Sequence, residues 1–269
     1  MSEWEEGSHL AWGATAEITR GAPGVVVKTF QSGFGSGAVL SEASGSAVAH
    51  RAGISSPELV SADPARGVLE FEYVPGRTLD VATFRLGPRR TGRVLDELLD
   101  SIARIARGPD TGTEIPDLKT RMIAQVEGGD APRDLKDAAR DDLDSLPSGD
   151  SLLHLDLHLR NVIWAGKPVV IDWSNTSWGP PAADIARTRL LLAHSHFYVP
   201  RAFRLVTRWY LARVSAAFEH HGLLRAPVDF EAANAWNRVF TAARFDGPVA
   251  REEKEFMVRE WRSNQLRRA

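Results

Sequence analysis

A change of pattern at Val74-Pro75-Gly76 constrains this chain more than any other feature of its sequence. Before it come short runs separated by glycine turns. His9–Trp12, Glu17–Arg20 and Val25–Phe30 read as strands, with Gly13-Ala14 and Gly21-Ala22-Pro23-Gly24 between them. Val25-Val26-Val27 suits a strand buried on both faces. A flexible stretch over Gln31–Gly37 leads to a helix over Ala38–Arg51 stopped by Gly53, and Val60 and Val68–Tyr73 supply two more strands. The order is β-β-β-α-β-β. Past the change the pattern is helical. Val94, Leu95, Leu98, Leu99, Ile102 and Ile105 lie on one face between Thr91 and Arg107, and Asp117–Glu127 and Pro132–Leu146 continue the theme. Short strands return at Leu152–Leu155, Val162–Trp164 and Val169–Ile171. Pro200 fits the start, and Gly222 the stop, of one long helix. Two more helices are expected over Asp229–Arg244 and Val249–Leu266. The expected class is α+β, with a β-rich lobe over residues 1–74 and a mainly helical lobe over 75–269.

Composition excludes several alternatives. The 269 residues suit one large domain or two small lobes, and 43% apolar with 25% charged residues is ordinary for a globular chain. A formal net charge of -2 favours neither nucleic acid nor a membrane surface as partner. With no cysteine there is no disulfide framework and no thiolate metal site. The opening MSEWEEGSHLAWG lacks the basic-then-apolar pattern of a signal peptide, and no window is long and apolar enough to span a bilayer. A cytoplasmic location is expected.

Chemistry concentrates in His154-Leu155-Asp156-Leu157-His158-Leu159-Arg160-Asn161, followed by Val169-Val170-Ile171-Asp172-Trp173. Phosphoryl transfer needs a carboxylate to orient the attacking hydroxyl and accept its proton, and oxygen ligands for the magnesium that bridges the phosphates. Asp156 and Asn161 have the D-x-x-x-x-N spacing of a catalytic base and a metal ligand. A hairpin turning at Ala165-Gly166-Lys167 would return Asp172, a second metal ligand, beside Asn161. An isolated D-x-x-x-x-N is common and an Asp in a loop often caps a turn. The preceding His, the closing hairpin and an Asp after a buried strand together make the pattern specific.

The stretch resembles the aminoglycoside phosphotransferase and choline kinase family, relatives of the protein kinases, whose catalytic segment runs H-G-D-x-H-x-x-N with an I-D strand end and a D-P-x-x-D segment downstream. Here those positions hold His154, Asp156, His158, Asn161, Ile171, Asp172 and, after Gly179-Pro180-Pro181, Asp184. Leu155 stands where the family has Gly, Leu159-Arg160 where it has Pro-Gly, and Pro180 where it has Asp. The resemblance extends from about Leu10 to Arg189. It implies a two-lobed protein kinase-like fold, ATP and Mg2+ as cofactors, and a small-molecule hydroxyl as acceptor. It also implies that Lys28, paired with Glu42, holds the α- and β-phosphates, and that the turn at Gly13 and Thr15 lies above them. Phe71-Glu72-Tyr73-Val74 becomes the hinge, with the Glu72 carbonyl and the Val74 amide offered to adenine. Asp184 becomes a brace for the catalytic loop.

A protein kinase is disfavoured, because Asp172-Trp173-Ser174 reaches Asp184 and a helix with little room for a peptide-docking segment. A catalytically inactive nucleotide-binding module is disfavoured because Lys28, Glu42, Asp156, Asn161 and Asp172 are all present. Among acceptors an aminoglycoside-like antibiotic leads, with a sugar, amino alcohol or nucleoside as the alternative. Against the first, residues 182–269 carry 15 Lys and Arg and 9 Asp and Glu. Trp173, Trp178 and Trp209 are candidates for stacking on an acceptor. The spacings of His194 with His196, and of His220 with His221, do not suit zinc. Asp96-Glu97, Asp141-Asp142 and Asp144 read as solvated helix faces.

Overall fold

The glycine-punctuated runs at the start of the chain do pair as a sheet. In a computed structural model the described residues are 4–13, 15–31, 36–108, 115–225, 230–247 and 251–266. The elements in chain order are β1 (His9–Trp12), β2 (Ala16–Arg20), β3 (Val25–Phe30), α1 (Ser36–Arg51), β4 (Leu59–Asp63), β5 (Val68–Glu72), β6 (Arg77–Thr78) and α2 (Leu79–Ala103). Then follow α3 (Leu118–Gly128), α4 (Arg133–Ser145), β7 (Ser151–Leu153), β8 (Val162–Trp164), β9 (Pro168–Val170), β10 (Ser177–Gly179), α5 (Pro181–His194), α6 (Arg204–Arg225), α7 (Phe230–Ala243) and α8 (Arg251–Leu266). The backbone divides into two compact units, the first being Met1–Phe84, Arg107–Ile115 and Leu159–Thr176, the second Arg85–Ala106, Pro116–His158 and Ser177–Ala269.

The first unit is built on a five-stranded antiparallel sheet in the order β1-β2-β3-β5-β4. β3 is central, but Val25, Val26 and Val27 are only half-buried, so the expectation of burial on both faces does not hold. Ala16, Phe30, Leu69 and Phe71 of the sheet enclose a small core with Val39 of α1. Gly53 ends α1 as expected, with φ of 84°, its N–H bonding His50 O while Ile54 N–H bonds Ala49 O. A left-handed residue after a helix favours glycine for want of a Cβ clash. A second small sheet, β6-β8-β9, carries the hairpin between Asn161 and Asp172. The expected turn at Gly13 lies in the described chain apart from Ala14. Much of the stretch expected to be flexible, residues 32–35, lies outside it, as do 229, 249 and 250 at the starts of two expected helices.

The second unit is helical, with one two-stranded sheet of β7 and β10. Its core joins Leu118, Met122 and Val126 of α3, Leu135, Ala139 and Leu143 of α4, Leu190 of α5, and Trp236, Val239 and Phe240 of α7. The i, i+3 and i, i+4 spacings within the α3, α4 and α7 sets put each on one face of its helix. Asp117 caps α3, its carboxylate accepting the Thr120 N–H at 3.0 Å.

Other expectations are corrected. α2 starts twelve residues before Thr91, at Leu79, and breaks at Gly87 (φ 74°, ψ 161°) just before Pro88. Pro200 precedes a short 3-10 turn, Arg201–Phe203, and α6 runs through Gly222 to Arg225. A glycine inside a helix costs about 1 kcal/mol without ending it. Asp96 is 5% exposed and accepts a bond from His221. Asp142 receives Nε and Nη2 of Arg238 at 2.6 and 2.5 Å, so these two are pairing groups within the unit. Trp173 and Trp178 are 1% and 0% exposed, which places both indoles in the interior, out of reach of an acceptor. Trp209 is exposed, with the Arg213 guanidinium 4.1 Å from its ring centroid. No helix among the described residues is long and apolar enough to cross a membrane.

Candidate active site

Two clusters of functional groups are present, one in each unit. In the first, β3 presents Lys28 between Ile18 of β2 and Leu69 of β5. Its ammonium donates to Glu42 Oε1 and Oε2 at 2.8 and 2.7 Å and to Asp172 Oδ1 at 3.0 Å. Lys28 and Glu42 are 7% and 1% exposed. This is a buried bidentate pair, quite unlike a solvated surface bridge.

Gly45 lets the pair form. It lies three residues after Glu42, one turn along the same face of α1. A Cβ there would stand 2.5 Å from Thr176 Oγ1 and 3.0 Å from the Trp173 carbonyl oxygen. The missing side chain allows α1 to lie directly on residues 173–176. Ser41 adds a bond from its hydroxyl to the Ser174 carbonyl at 3.2 Å.

One ammonium faces two carboxylates in this cluster. Burial alone would lower the Lys28 pKa, but Asp172 and Glu42 outweigh it and the net shift is upward. Burial pushes the Glu42 carboxyl up to about 7, with Asp172 adding to the rise and Lys28 opposing it. The two shifts pull in opposite senses for an ion pair. They are reconciled by the surplus carboxylate: the lysine keeps its proton, and the more deeply buried acid is the one that ionises reluctantly.

Asp172 itself has φ of 64°. A short side chain that bonds locally makes this region accessible to Asp, and Ser174 Oγ donates to Asp172 Oδ1 at 2.8 Å. Asn161 closes the 3-10 turn Leu159–Asn161, and its carbonyl accepts the Ile171 N–H at 3.0 Å. The hairpin thus brings the backbone at Asn161 beside that at Asp172. The pair offers an amide oxygen and a carboxylate, the hard oxygen donors that magnesium takes when phosphates complete its shell. The donor set therefore fits the ion. At the end of β5, the N–H groups of Glu72 and Tyr73 bond Glu58 O and Gly24 O at 2.9 and 2.8 Å, and Val74 follows. At the β1–β2 turn the Gly13 N–H bonds Ala16 O at 2.8 Å, and Thr15 O accepts the Gln31 N–H at 2.9 Å.

The second cluster surrounds Asp156. Pro180 and Pro181 open α5, a first turn with preset φ and no donor to waste. They are followed by Asp184, 3% exposed, whose Oδ2 and Oδ1 accept the N–H groups of His154 and Leu155 at 2.7 and 2.8 Å. Burial raises the Asp184 pKa, while His154 and these two N–H bonds resist the rise. The Asp156 N–H donates to His154 Nδ1 at 3.2 Å, and His158 Nε2 lies 3.8 Å from Asp156 Oδ2. Leu155, in place of the family's Gly, has φ of 58° and is 3% exposed. The strain that Gly would avoid is borne by leucine, held by core packing and by the bonds at its N–H and carbonyl. Arg187 Nε donates to that carbonyl at 3.2 Å, and Thr188 Oγ1 to the Leu157 carbonyl at 3.1 Å.

Sequence reasoning missed three groups here. Arg121, Arg187 and Arg244 all feel the Asp156 charge. The legible signal was Arg187, three residues after Asp184 on one helix and so on the same face as the brace.

Comparison with known proteins gives this arrangement a context. The sequence model described as the phosphotransferase enzyme family matches residues 18–236. No curated protein matches. Among solved structures, an aminoglycoside-3'-phosphotransferase of type VIII is similar over 88% of this chain and 92% of its own, at 21% identity and TM-score 0.62. The streptomycin-ATP-APH(2")-IIa ternary complex is similar over 95% and 90%, at 15% identity and TM-score 0.60. A choline/ethanolamine kinase family protein from Mesorhizobium loti is similar over 86% and 91%, at 17% identity and TM-score 0.51. At these identities the likeness establishes the fold, an α+β protein kinase-like fold with a small β-rich and a larger helical lobe.

Proposed function

We propose that this chain, which belongs to the phosphotransferase enzyme family, transfers the γ-phosphoryl group of Mg-ATP to a hydroxyl of a small molecule in the cytoplasm, where that nucleotide is available. The observation that carries the reading is the buried Lys28–Glu42 pair with Asp172 on its third donor. A structural ion pair has no need of a second, more exposed carboxylate. A phosphate-binding lysine beside a metal ligand does.

In this reading Lys28, oriented by Glu42, holds the α- and β-phosphates, and Gly13 and Thr15 form the turn above them. The Glu72 carbonyl and Val74 amide meet adenine at a hinge that closes a nucleotide lobe over residues 1–74, the remainder forming the acceptor lobe. Asn161 and Asp172 bind Mg2+, which neutralises charge on the phosphates. Asp156 orients the acceptor hydroxyl and takes its proton. Asp184 is a positioning residue, fixing the backbone N–H groups of His154 and Leu155 just ahead of Asp156. The completeness of this set supports a working enzyme over an inactive module. An aminoglycoside-like antibiotic is the acceptor class that kinship suggests, with resistance as its biological meaning. The arginines beside Asp156 favour the alternative, a sugar or other metabolite.

Asp156→Asn tests the assignment. Turnover should fall at least about 100-fold while ATP affinity stays within about two-fold, since the carboxylate serves the acceptor and not the nucleotide. Near-normal turnover in the variant removes Asp156 from the role.

A further inference from the structure

Around Asp156 the second unit gathers three guanidiniums, those of Arg121, Arg187 and Arg244. Arg244 is tied down, its Nε on Glu253 Oε1 at 2.7 Å and its Nη2 on the Tyr198 hydroxyl at 2.6 Å, with that hydroxyl donating to Glu253 Oε2 at 2.6 Å. Glu253 is fully buried and is thereby engaged on both oxygens. Arg121, in the first turn of α3, reaches Ser177 Oγ at 3.4 Å. Arg187 differs. Its Nε bonds the Leu155 carbonyl, and its guanidinium carbon lies 5.6 Å from the Phe240 ring centroid. Among the described residues neither terminal nitrogen makes a hydrogen bond, and no carboxylate stands at ion-pair distance.

Arg187 is therefore held by one edge, one residue upstream of the proposed base, with its two-nitrogen fork unmatched. Loss of solvation brings its pKa down to about 10, Arg244 and Arg121 push the same way, and Asp156 opposes. Glu253 is taken by Arg244 and Asp184 by backbone N–H groups, so the Arg187 fork is left to meet an incoming anion. A planar fork of this kind matches a carboxylate or phosphate bidentately. A polycation placed here would meet like charge at the Arg187 fork.

We infer that the acceptor is a hydroxylated small molecule bearing an anionic group, carboxylate or phosphate, and that Arg187 is the residue that selects it. The inference rests on the assignment of Asp156 as base, and it reverses the charge expected of an aminoglycoside site. The fork sets the acid group at a fixed distance from Asp156, so the hydroxyl presented to the base is chosen by its separation from that group.

Glucuronate, glucose and glucosamine share a ring and differ in charge, and they serve as probes in calorimetric titrations of the full chain saturated with Mg-AMP-PNP at constant ionic strength. Glucuronate should bind at least about ten-fold tighter than glucose, the scale of one charge-assisted bidentate contact, and glucosamine weakest. Arg187→Gln should bring glucuronate to within about two-fold of glucose and leave AMP-PNP affinity unchanged, with Arg187→Lys restoring part of the preference. Glucosamine binding tightest, a glucuronate preference that survives Arg187→Gln, or no glucuronate heat in the nucleotide-loaded protein would each overturn the inference. Failure of AMP-PNP itself to bind would instead count against the phosphotransferase reading. Sulfate titrated into the nucleotide-free chain then still decides about Arg187: binding lost in Arg187→Gln upholds the anion site, and binding equal in both proteins removes it.

Discussion

Replacing Gly45 with alanine sets two effects of opposite sign against each other. Gly→Ala inside a helix normally stabilises by about 0.5–1 kcal/mol, because glycine has more backbone freedom to lose. Here the new Cβ would lie 2.5 Å from Thr176 Oγ1, 3.0 Å from Thr176 Cβ and 3.0 Å from the Trp173 carbonyl oxygen. The hydroxyl cannot simply swing aside, since it bonds the Trp173 carbonyl at 2.6 Å. The carbonyl is backbone and buried beneath α1. Relief requires α1 to retreat by roughly half an ångström or more, an overpacking cost of about 1–3 kcal/mol. The clash should win, leaving Gly45→Ala about 1–2 kcal/mol less stable in urea melts. Because Glu42 rides on the same helix face, the retreat should also loosen its grip on Lys28 and shrink the thermal shift given by Mg-ATP. Thr176→Ala in the same background removes the shortest contact and should recover part of the loss, a coupling of at least about 0.5 kcal/mol in a double-mutant cycle. A Gly45→Ala protein that is more stable than wild type, with its Mg-ATP shift intact, would refute the claim that close approach of α1 builds the site.

Three further outcomes are expected. Asp172→Ala should abolish most of the magnesium-dependent part of the ATP-induced rise in Tm, measured with and without metal chelator. Glu42 has a folded-state pKa raised to about 7 from 4.5, so between those values the folded protein binds more protons than the unfolded chain and stability falls as pH rises. That term amounts to on the order of 2–3 kcal/mol, and Glu42→Gln should flatten the fall in denaturant melts between pH 4.5 and 7; an unchanged slope would show that Glu42 is not its source. Leu155→Gly should relieve about 1 kcal/mol of left-handed strain yet lose a buried side chain worth about 2–5 kcal/mol, so urea melts should show net destabilisation although the family's usual residue has been restored.

The parts of this molecule that were legible in its sequence are those fixed by local chemistry. β3 and β5 carry enough β-branched and apolar residues to be read without their partners, and Asp117 announces α3 as its cap. The motif from His154 to Asp172 specified a hairpin, and the hairpin exists. β6 and β10 were not legible: Arg77-Thr78 and Ser177-Trp178-Gly179 have no alternation of their own and are strands only because β8 and β7 lie beside them. Trp173 adjoins Asp172 and Trp178 lies six residues before Asp184, but nothing in the chain says which face of a short segment turns inward. The acids on α2 and α4 looked solvated because their partners, His221 and Arg238, are over 90 residues away. The gathering of Arg121, Arg187 and Arg244 beside Asp156 is likewise a product of tertiary packing, and of the three only Arg187, three residues after Asp184 on one helix, carried a local signal in the sequence.

The positive φ at Asp172 makes aspartate and glutamate unequal there, whatever their shared charge. A longer acid could reach a metal, but it lacks the short local bond by which Ser174 holds Asp172 in the left-handed region, and it would bear the backbone strain without that compensation. Of the twenty amino acids, aspartate alone combines a metal-binding carboxylate with tolerance of this conformation, and asparagine is its nearest companion in shape. Asn at 172 therefore separates charge from backbone, whereas Ala disturbs both at once, and the position is narrower for any mutational path than its chemistry alone would suggest.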